Sequence, residues 1–260
     1  MKFIKFGIPL LCLFGFIATG TNNVYASPKT DFDFQWTKYR QNYAEFSLLK
    51  RDYLQNQTLD NQQKAVLSAK QTLLARDMAK AAYARYMIDL INGKNTGYTA
   101  LNPVLTRLSE AAIFFDSEAL LSQQIITPAD LKKFATDYLS GYQIKDRSFF
   151  YGQLAYKIAT LVRFQIDLKE SYDAMLPKLP EVKPAPLKAR LDEVPVLAAN
   201  INDKIASLSA LIIPEEEDGA LTPDGYFSPF IKKVDDIRQL QLQLVNQFVD
   251  IDINYVQSKI

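Results

Sequence analysis

The sequence predicts an all-α protein, an elongated antiparallel bundle of about six helices that pair as coiled-coil-like hairpins. Apolar residues recur at three- and four-residue steps over several long segments, which is the spacing of amphipathic helices. Only nine of the 260 residues are glycine. The long segments are rich in Leu, Ala, Lys and Gln, which favour helices. The glycine turns and β-branched runs of a sheet protein are missing.

The segment from Leu67 to Ile91 is predicted to be the central helix of the bundle. Alanines at 79, 81, 82 and 84 would let neighbouring helices approach closely, and a helix that is apolar around most of its circumference is buried on most sides. Two apolar stripes lie side by side on it: Leu67, Leu74, Met78, Ala81, Ile88 and Ile91, and then Ala79, Tyr83, Tyr86 and Leu90. Thr58 and Asp60 are both possible start signals for this helix. The predicted helix ends at Asn92, with Gly93 as its stop.

A first helix is predicted before it, from Asp31 to Gln57, and it is dense in aromatic residues. Its rings are expected to fill the core beside the alanine-rich helix. The alternative is an aromatic groove for a sugar, a lipid or a peptide, with Trp36 as its only tryptophan. The aromatic residues are Phe32, Phe34, Trp36, Tyr39, Tyr43, Phe46 and Tyr53.

Three prolines are expected to begin helices, because proline is favoured in the first helical turn. They follow possible capping residues in Asn102-Pro103, Thr127-Pro128 and Ser228-Pro229. Two weak points lie inside helical patterns. Ser140-Gly141 is expected to kink or break a helix that otherwise runs to Met175, and Pro195 to kink or split the next one.

The chain is predicted to divide at residues 177–186, which hold four prolines and form a stiff connector. Residues 31–176 are expected to form the main helical bundle. Residues 187–260 are expected to form a helical hairpin that either packs back on the bundle or stands apart.

Residues 1–26 resemble a secretory signal peptide. Lys2 and Lys5 precede an apolar run from Phe6 to Ala18, and small residues lead to a cleavage site after Ala26. The run is shorter than the roughly 20 residues of a membrane-spanning helix. We therefore expect an exported protein in an extracytoplasmic compartment. An uncleaved anchor is the alternative, and no other segment is expected to span a membrane.

The composition excludes several kinds of chemistry. The chain has no histidine, and its one cysteine, Cys12, lies in the predicted signal peptide. Triads that need His, zinc sites with His or Cys, and disulfides in the exported chain are therefore excluded. With 30 basic and 29 acidic residues, no nucleic-acid partner is expected.

Three weaker motifs suggest an active site or a metal site, but each has a simpler structural interpretation. Ser47 and Lys50 have the S-x-x-K spacing of serine acyl-enzymes, but the companion motifs are absent. The acidic run 215–218 with Asp224, and the segment Asp250–Asn254, do not fit a calcium-binding loop and are interpreted as solvated surface. We therefore predict no enzyme, no cofactor, and no catalytic, cofactor-binding or metal-binding residue.

Three short motifs carry a resemblance to uncharacterised exported helical proteins of candidate-phylum bacteria. These motifs are Tyr39-Arg40-Gln41-Asn42-Tyr43, Tyr53-Leu54 and Leu73-Leu74-Ala75-Arg76-Asp77. The resemblance covers the first helical hairpin and implies no activity. The sequence thus predicts a non-catalytic exported scaffold that binds a protein partner or itself. The alternative is a ligand-binding or sensory bundle with an aromatic-lined pocket.

Overall fold

The computed structural model describes residues 27–214 and 222–256, and within them the predicted all-α fold is confirmed. The predicted signal peptide and the acidic run 215–218 lie outside these ranges. Six α-helices and no strand occur in the described part of the chain. They are α1 (Pro28–Gln55), α2 (Leu59–Asn92), α3 (Asn102–Ser122), α4 (Pro128–Met175), α5 (Ala185–Ala210) and α6 (Pro223–Ile251).

Helix α2 is the central helix of the first part of the fold, as predicted, because α1, α3 and α4 all pack against it. The four alanines at 79, 81, 82 and 84 are buried. One apolar position was predicted wrongly: Leu67 is exposed, whereas Ser68 and Thr72 face inward. The buried stripe consists mostly of small residues, because it lies where neighbouring backbones approach most closely.

Helix α1 forms an antiparallel hairpin with α2 through a heptad seam. Asn42 Nδ2 donates a hydrogen bond to the Gln71 carbonyl at 3.1 Å, and Thr72 Oγ1 donates to the Asn42 carbonyl at 3.0 Å. The seam residues are only half-buried: Phe32, Gln35, Tyr39, Asn42, Phe46, Leu49 and Tyr53. The expectation that the α1 rings fill the core is therefore wrong, because no residue of α1 is buried.

Two helix starts were predicted correctly or nearly so, and two were not. Thr127 caps α4 in a capping box with Asp130, and Thr58 caps α2. Asn102 is not a cap, because a 3-10 turn over Thr99–Leu101 leads directly into α3. Helix α6 begins at Pro223 rather than Ser228. Thr222 caps it, because its hydroxyl accepts a hydrogen bond from the Gly225 amide at 3.1 Å, and Ser228 lies inside the helix.

Helix α4 is unbroken over 48 residues, or about 70 Å. The predicted break at Ser140-Gly141 is therefore wrong. A Cβ at Gly141 would lie 3.2 Å from the Phe114 ring, so the glycine serves close helix packing. Helix α5 also runs through Pro195 without splitting.

The second half of α4 packs with α5 and α6, so the last two helices lie against the first group. Gln241 Nε2 donates to the Leu161 carbonyl at 2.9 Å, and the Tyr226 hydroxyl donates to the Ile212 carbonyl at 2.7 Å. The 3-10 turn Leu176–Lys178 and the segment before α5 occupy the predicted connector. One cluster of buried apolar residues extends through both groups.

Candidate functional site

An ionic cluster lies between α2 and α4. The Asp77 side chain has no exposed surface, and Arg76 donates to both of its carboxylate oxygens at 2.8 and 3.0 Å. The Tyr138 hydroxyl donates to the same carboxylate at 3.1 Å, and the Arg76 guanidinium lies 4.0 Å from the Tyr138 ring centroid. Every oxygen of this buried carboxylate therefore has a partner.

One turn further along α2, Lys80 makes the second ion pair of the cluster. Its Nζ donates to the two Asp146 oxygens at 2.9 and 3.1 Å and also to the Tyr142 hydroxyl. The ammonium lies 5.1 Å from the Phe115 ring centroid. Aromatic rings thus cover a cation that is already paired, and this favours the charged lysine.

Burial sets the electrostatics of the cluster. It raises the pKa of the Asp77 carboxyl, and the Arg76 guanidinium opposes this shift. It lowers the pKa of the Lys80 ammonium, which Asp146 opposes. The pKa of Glu118 at the edge of the cluster is raised by burial and by the negative charge of Asp77. Pairing with Arg76 and with Asp146 therefore offsets part of the desolvation cost of Asp77 and Lys80.

The pairing decides what this cluster can do. Its two cations bind its two carboxylates, so a substrate would have to break an existing pair to reach any of them. Two contacts of the cluster join the helices, Lys80 with Asp146 and Tyr138 with Asp77, so sliding α4 along α2 would leave these buried groups without partners. We therefore interpret the cluster as a device that holds α2 against α4.

The cluster is not predicted in the sequence analysis, because charged residues usually lie on the surface. A signal was present. Arg76, Asp77 and Lys80 lie within about one turn of the alanine-rich central helix, and Tyr138, Tyr142 and Asp146 recur at four-residue steps. Charged residues in an apolar part of one helix, together with polar residues at four-residue steps on another helix, indicate buried ion pairs.

The second feature is a stripe of aromatic rings along α1, consisting of Phe32, Trp36, Tyr39 and Tyr43, which we call the aromatic stripe. Neighbouring ring centroids along it are 6.4, 5.5 and 6.0 Å apart. Trp36 is 46% exposed and Tyr43 is 54% exposed. The stripe therefore presents large, ordered rings to solvent.

The aromatic stripe is anchored to the core at one end. The Phe32 ring lies 5.0 Å from Tyr83, and Tyr83 lies 5.2 Å from Phe149, which packs on Phe115 at 5.7 Å. Gln153 Nε2 donates to the Tyr83 hydroxyl at 3.1 Å. The exposed rings thus extend a buried ring cluster, and this restricts their rotamers before any partner binds.

Four open cavities of about 280 to 310 Å³ occur elsewhere on the described surface. Two lie between α4 and α6, one lies at the turn before α3, and one lies between the end of α3 and the start of α4. None of these four is lined by a residue of α1. The aromatic-lined pocket expected around Trp36 is not among them.

The weaker sequence motifs do not come together as sites. Ser47 Oγ donates to the Tyr43 carbonyl at 2.8 Å, while Lys50 lies over the Phe46 ring at 6.0 Å. Asp224 lies in the first turn of α6. Asp250 accepts a hydrogen bond from Arg190 at 2.6 Å. These side chains have local structural roles.

Residues 27–214 and 222–256 contain neither a metal-binding group of side chains nor a membrane-spanning helix. In these ranges no three or more Asp, Glu, His or Cys side chains gather as they would around a metal ion. Nor does any helix there combine the length and apolarity that crossing a membrane requires. Comparison of the chain with protein-family models, with curated proteins and with solved structures finds no match.

Proposed function

We propose that this protein is a non-catalytic, exported helical scaffold that binds another protein through the aromatic stripe of α1. The observation that carries the proposal is the exposure of Trp36 and Tyr43 on a helix in which no residue is buried. Half-exposed, ordered Trp and Tyr rings are the side chains that most often dominate binding energy at protein interfaces.

The shape of the hairpin supports the proposal. Helix α1 packs along α2 and leaves its other sides uncovered. Exposed apolar side chains also continue towards the tip of the hairpin at Leu54 and Leu59. Several large exposed apolar side chains on one hairpin favour a docking role over a purely structural one. Export rests on the predicted signal peptide, residues 1–26.

Substitutions on two sides of the same helix test the proposal. Tyr43→Glu and Trp36→Glu place a charge on the aromatic stripe, whereas Phe34→Glu, at an equally exposed ring, places it about 160° away from Trp36 around the helix. We expect the two stripe variants to lose a high-mass complex from extracts of the native host, with partner affinity at least about tenfold weaker. Phe34→Glu should retain it.

The thermal unfolding of each purified variant serves as the folding control. All three residues are at least 46% exposed, so each variant should unfold within a few degrees of the parent chain. A complex that survives both stripe substitutions would refute the proposal.

The ligand-binding alternative uses the same rings and is distinguished by fluorescence. Trp36 is the single tryptophan of the chain, so its emission reports on the aromatic stripe alone. A blue shift on adding a protein-free extract of small molecules or oligosaccharides would favour the alternative. Unchanged Trp36 emission with such an extract supports the scaffold.

A further inference from the structure

Helix α6 carries a second heptad seam on its outer surface. Its buried seam includes Phe230, Val234, Ile237, Gln241 and Leu244. The residue that follows each of these buried residues lies on the outside of α6, and these outer residues recur at the same three- and four-residue steps. The outer seam consists of Ile231, Asp235, Arg238, Leu242, Val245 and Val249. Such a repeat is the pattern with which one helix packs against another.

The outer seam forms one wall of an open groove between α4 and α6. One cavity, of about 310 Å³, is lined by Ile231, Asp235 and Arg238, and the next, of about 280 Å³, by Arg238, Leu242 and Val245. The two cavities share Arg238, so the groove follows the seam. Ile231 is 61% exposed and Leu242 is 51% exposed, so within one copy this apolar surface is uncovered.

The outer seam is complementary to itself when reversed. Asp235 and Arg238 are equally distant from the point between residues 236 and 237, and so are Ile231 and Leu242. Within one copy Arg238 Nη1 already lies 3.5 Å from Asp235 Oδ1. A second α6 laid antiparallel about that point brings each Asp235 also to an Arg238 of the other copy, and each Ile231 to a Leu242. Opposite charges and apolar pairs then match twice, which is the property of an isologous twofold contact.

We propose that the α4–α6 groove binds α6 of a second copy of this chain, antiparallel, about a twofold axis near residues 236 and 237. Paired Asp235 and Arg238 at the centre fix the register and orientation, as polar groups in a helical seam do. The apolar residues on either side supply the buried surface. This dimer does not depend on the aromatic stripe, and it would give one particle two copies of that stripe.

Charge reversal tests the contact directly. Asp235→Arg places arginine opposite Arg238 of the second copy, and Arg238→Asp places aspartate opposite Asp235. The protein, purified after export by its host, is expected to sediment as a dimer. Each single variant should sediment as a monomer, with the dimer dissociation constant raised at least about tenfold.

A double variant and a mixture of the single variants make the test specific. The double variant Asp235→Arg/Arg238→Asp restores opposite charges in both pairs and should dimerise again. An equimolar mixture of the two single variants should form a heterodimer, since arginines then face aspartates. Asp236→Arg, an exposed charge change away from the seam, is the matched control and should remain dimeric.

The outcomes that overturn the proposal are equally definite. A parent chain that remains a monomer up to a concentration of about 100 μM refutes the dimer. A dimer that both single variants leave unchanged uses another surface. Single variants that dissociate while neither the double variant nor the mixture recovers would show that the charges act on folding rather than on pairing.

Discussion

Asp77 shows how a single buried charge constrains this fold. Its side chain is fully buried, and it is bonded by Arg76 and Tyr138. Removing a carboxylate from water is costly, and the cost is offset only while the guanidinium holds both oxygens. The pair therefore contributes little by its presence and much by its removal.

Arg76→Ala is expected to destabilise the protein by about 3–5 kcal/mol, because it leaves Asp77 as an uncompensated buried charge. Arg85→Ala on the same helix is the control. Its partner Asp116 is about half exposed, so its loss should change the unfolding free energy by about 1 kcal/mol or less. Urea denaturation measures both. Equal effects of the two substitutions would mean that Asp77 is not held as described.

Asp130 gives a prediction about pH. The Thr127 hydroxyl and the backbone amides of Thr127 and Ile126 hold the pKa of its carboxyl below the ordinary value of 3.8. A depressed pKa in the folded state means that the stabilisation is present above pH 3.8 and is lost as the pH falls through the lower folded value.

The comparison of the parent chain with Asp130→Asn isolates this effect. The parent should be the more stable of the two at about pH 5, and the difference should shrink towards about pH 2. Urea midpoints measured across that range test it. A difference that stays constant with pH would show that the Asp130 charge does not support the start of α4.

At the scale of elements, two glycines of α4 make a matched pair. A Cβ at Gly141 would lie 3.2 Å from the Phe114 ring, which is only half-buried, so a shift of a few tenths of an ångström relieves the contact. A Cβ at Gly152 would lie 3.1 Å from Leu108, which is fully buried. The same substitution should therefore have opposite signs at the two positions.

Gly141→Ala should stabilise the protein by up to about 1 kcal/mol, since alanine is the better helix former. Gly152→Ala should destabilise it by about 1–3 kcal/mol, because a packed core resists the added methyl group. Thermal unfolding of the two variants checks the signs. If Gly152→Ala proves stabilising, the contact between α3 and α4 is looser than described.

The helices were predictable, and their packing was only partly so. Thr58 and Thr127 marked helix starts because a capping side chain acts within a few residues. Local signals failed where a distant neighbour decides the outcome. Gly141 reads as a break until Phe114 is known to lie against it, and Leu67 reads as core until the direction of the α1 contact is fixed. Tyr138, which donates to Asp77, likewise lies in α4, about sixty residues away.

At the scale of the whole molecule, α4 joins two helical groups, and each group leaves one surface uncovered. The first carries the aromatic stripe on α1, and the second carries the α4–α6 groove. Asp77 and Lys80, charged groups close to the core, are each held in an ion pair. Surfaces rather than an enclosed site are therefore where we expect this molecule to act.

In-cell crosslinking with mass spectrometry, in the native host, tests this account most directly. Lys29, Lys38 and Lys50 are exposed along α1 and report on that helix. We expect crosslinks from these lysines to one reproducible second protein, and Tyr43→Glu should abolish these crosslinks. Links from α1 only to its own chain or to other copies of it would contradict the account.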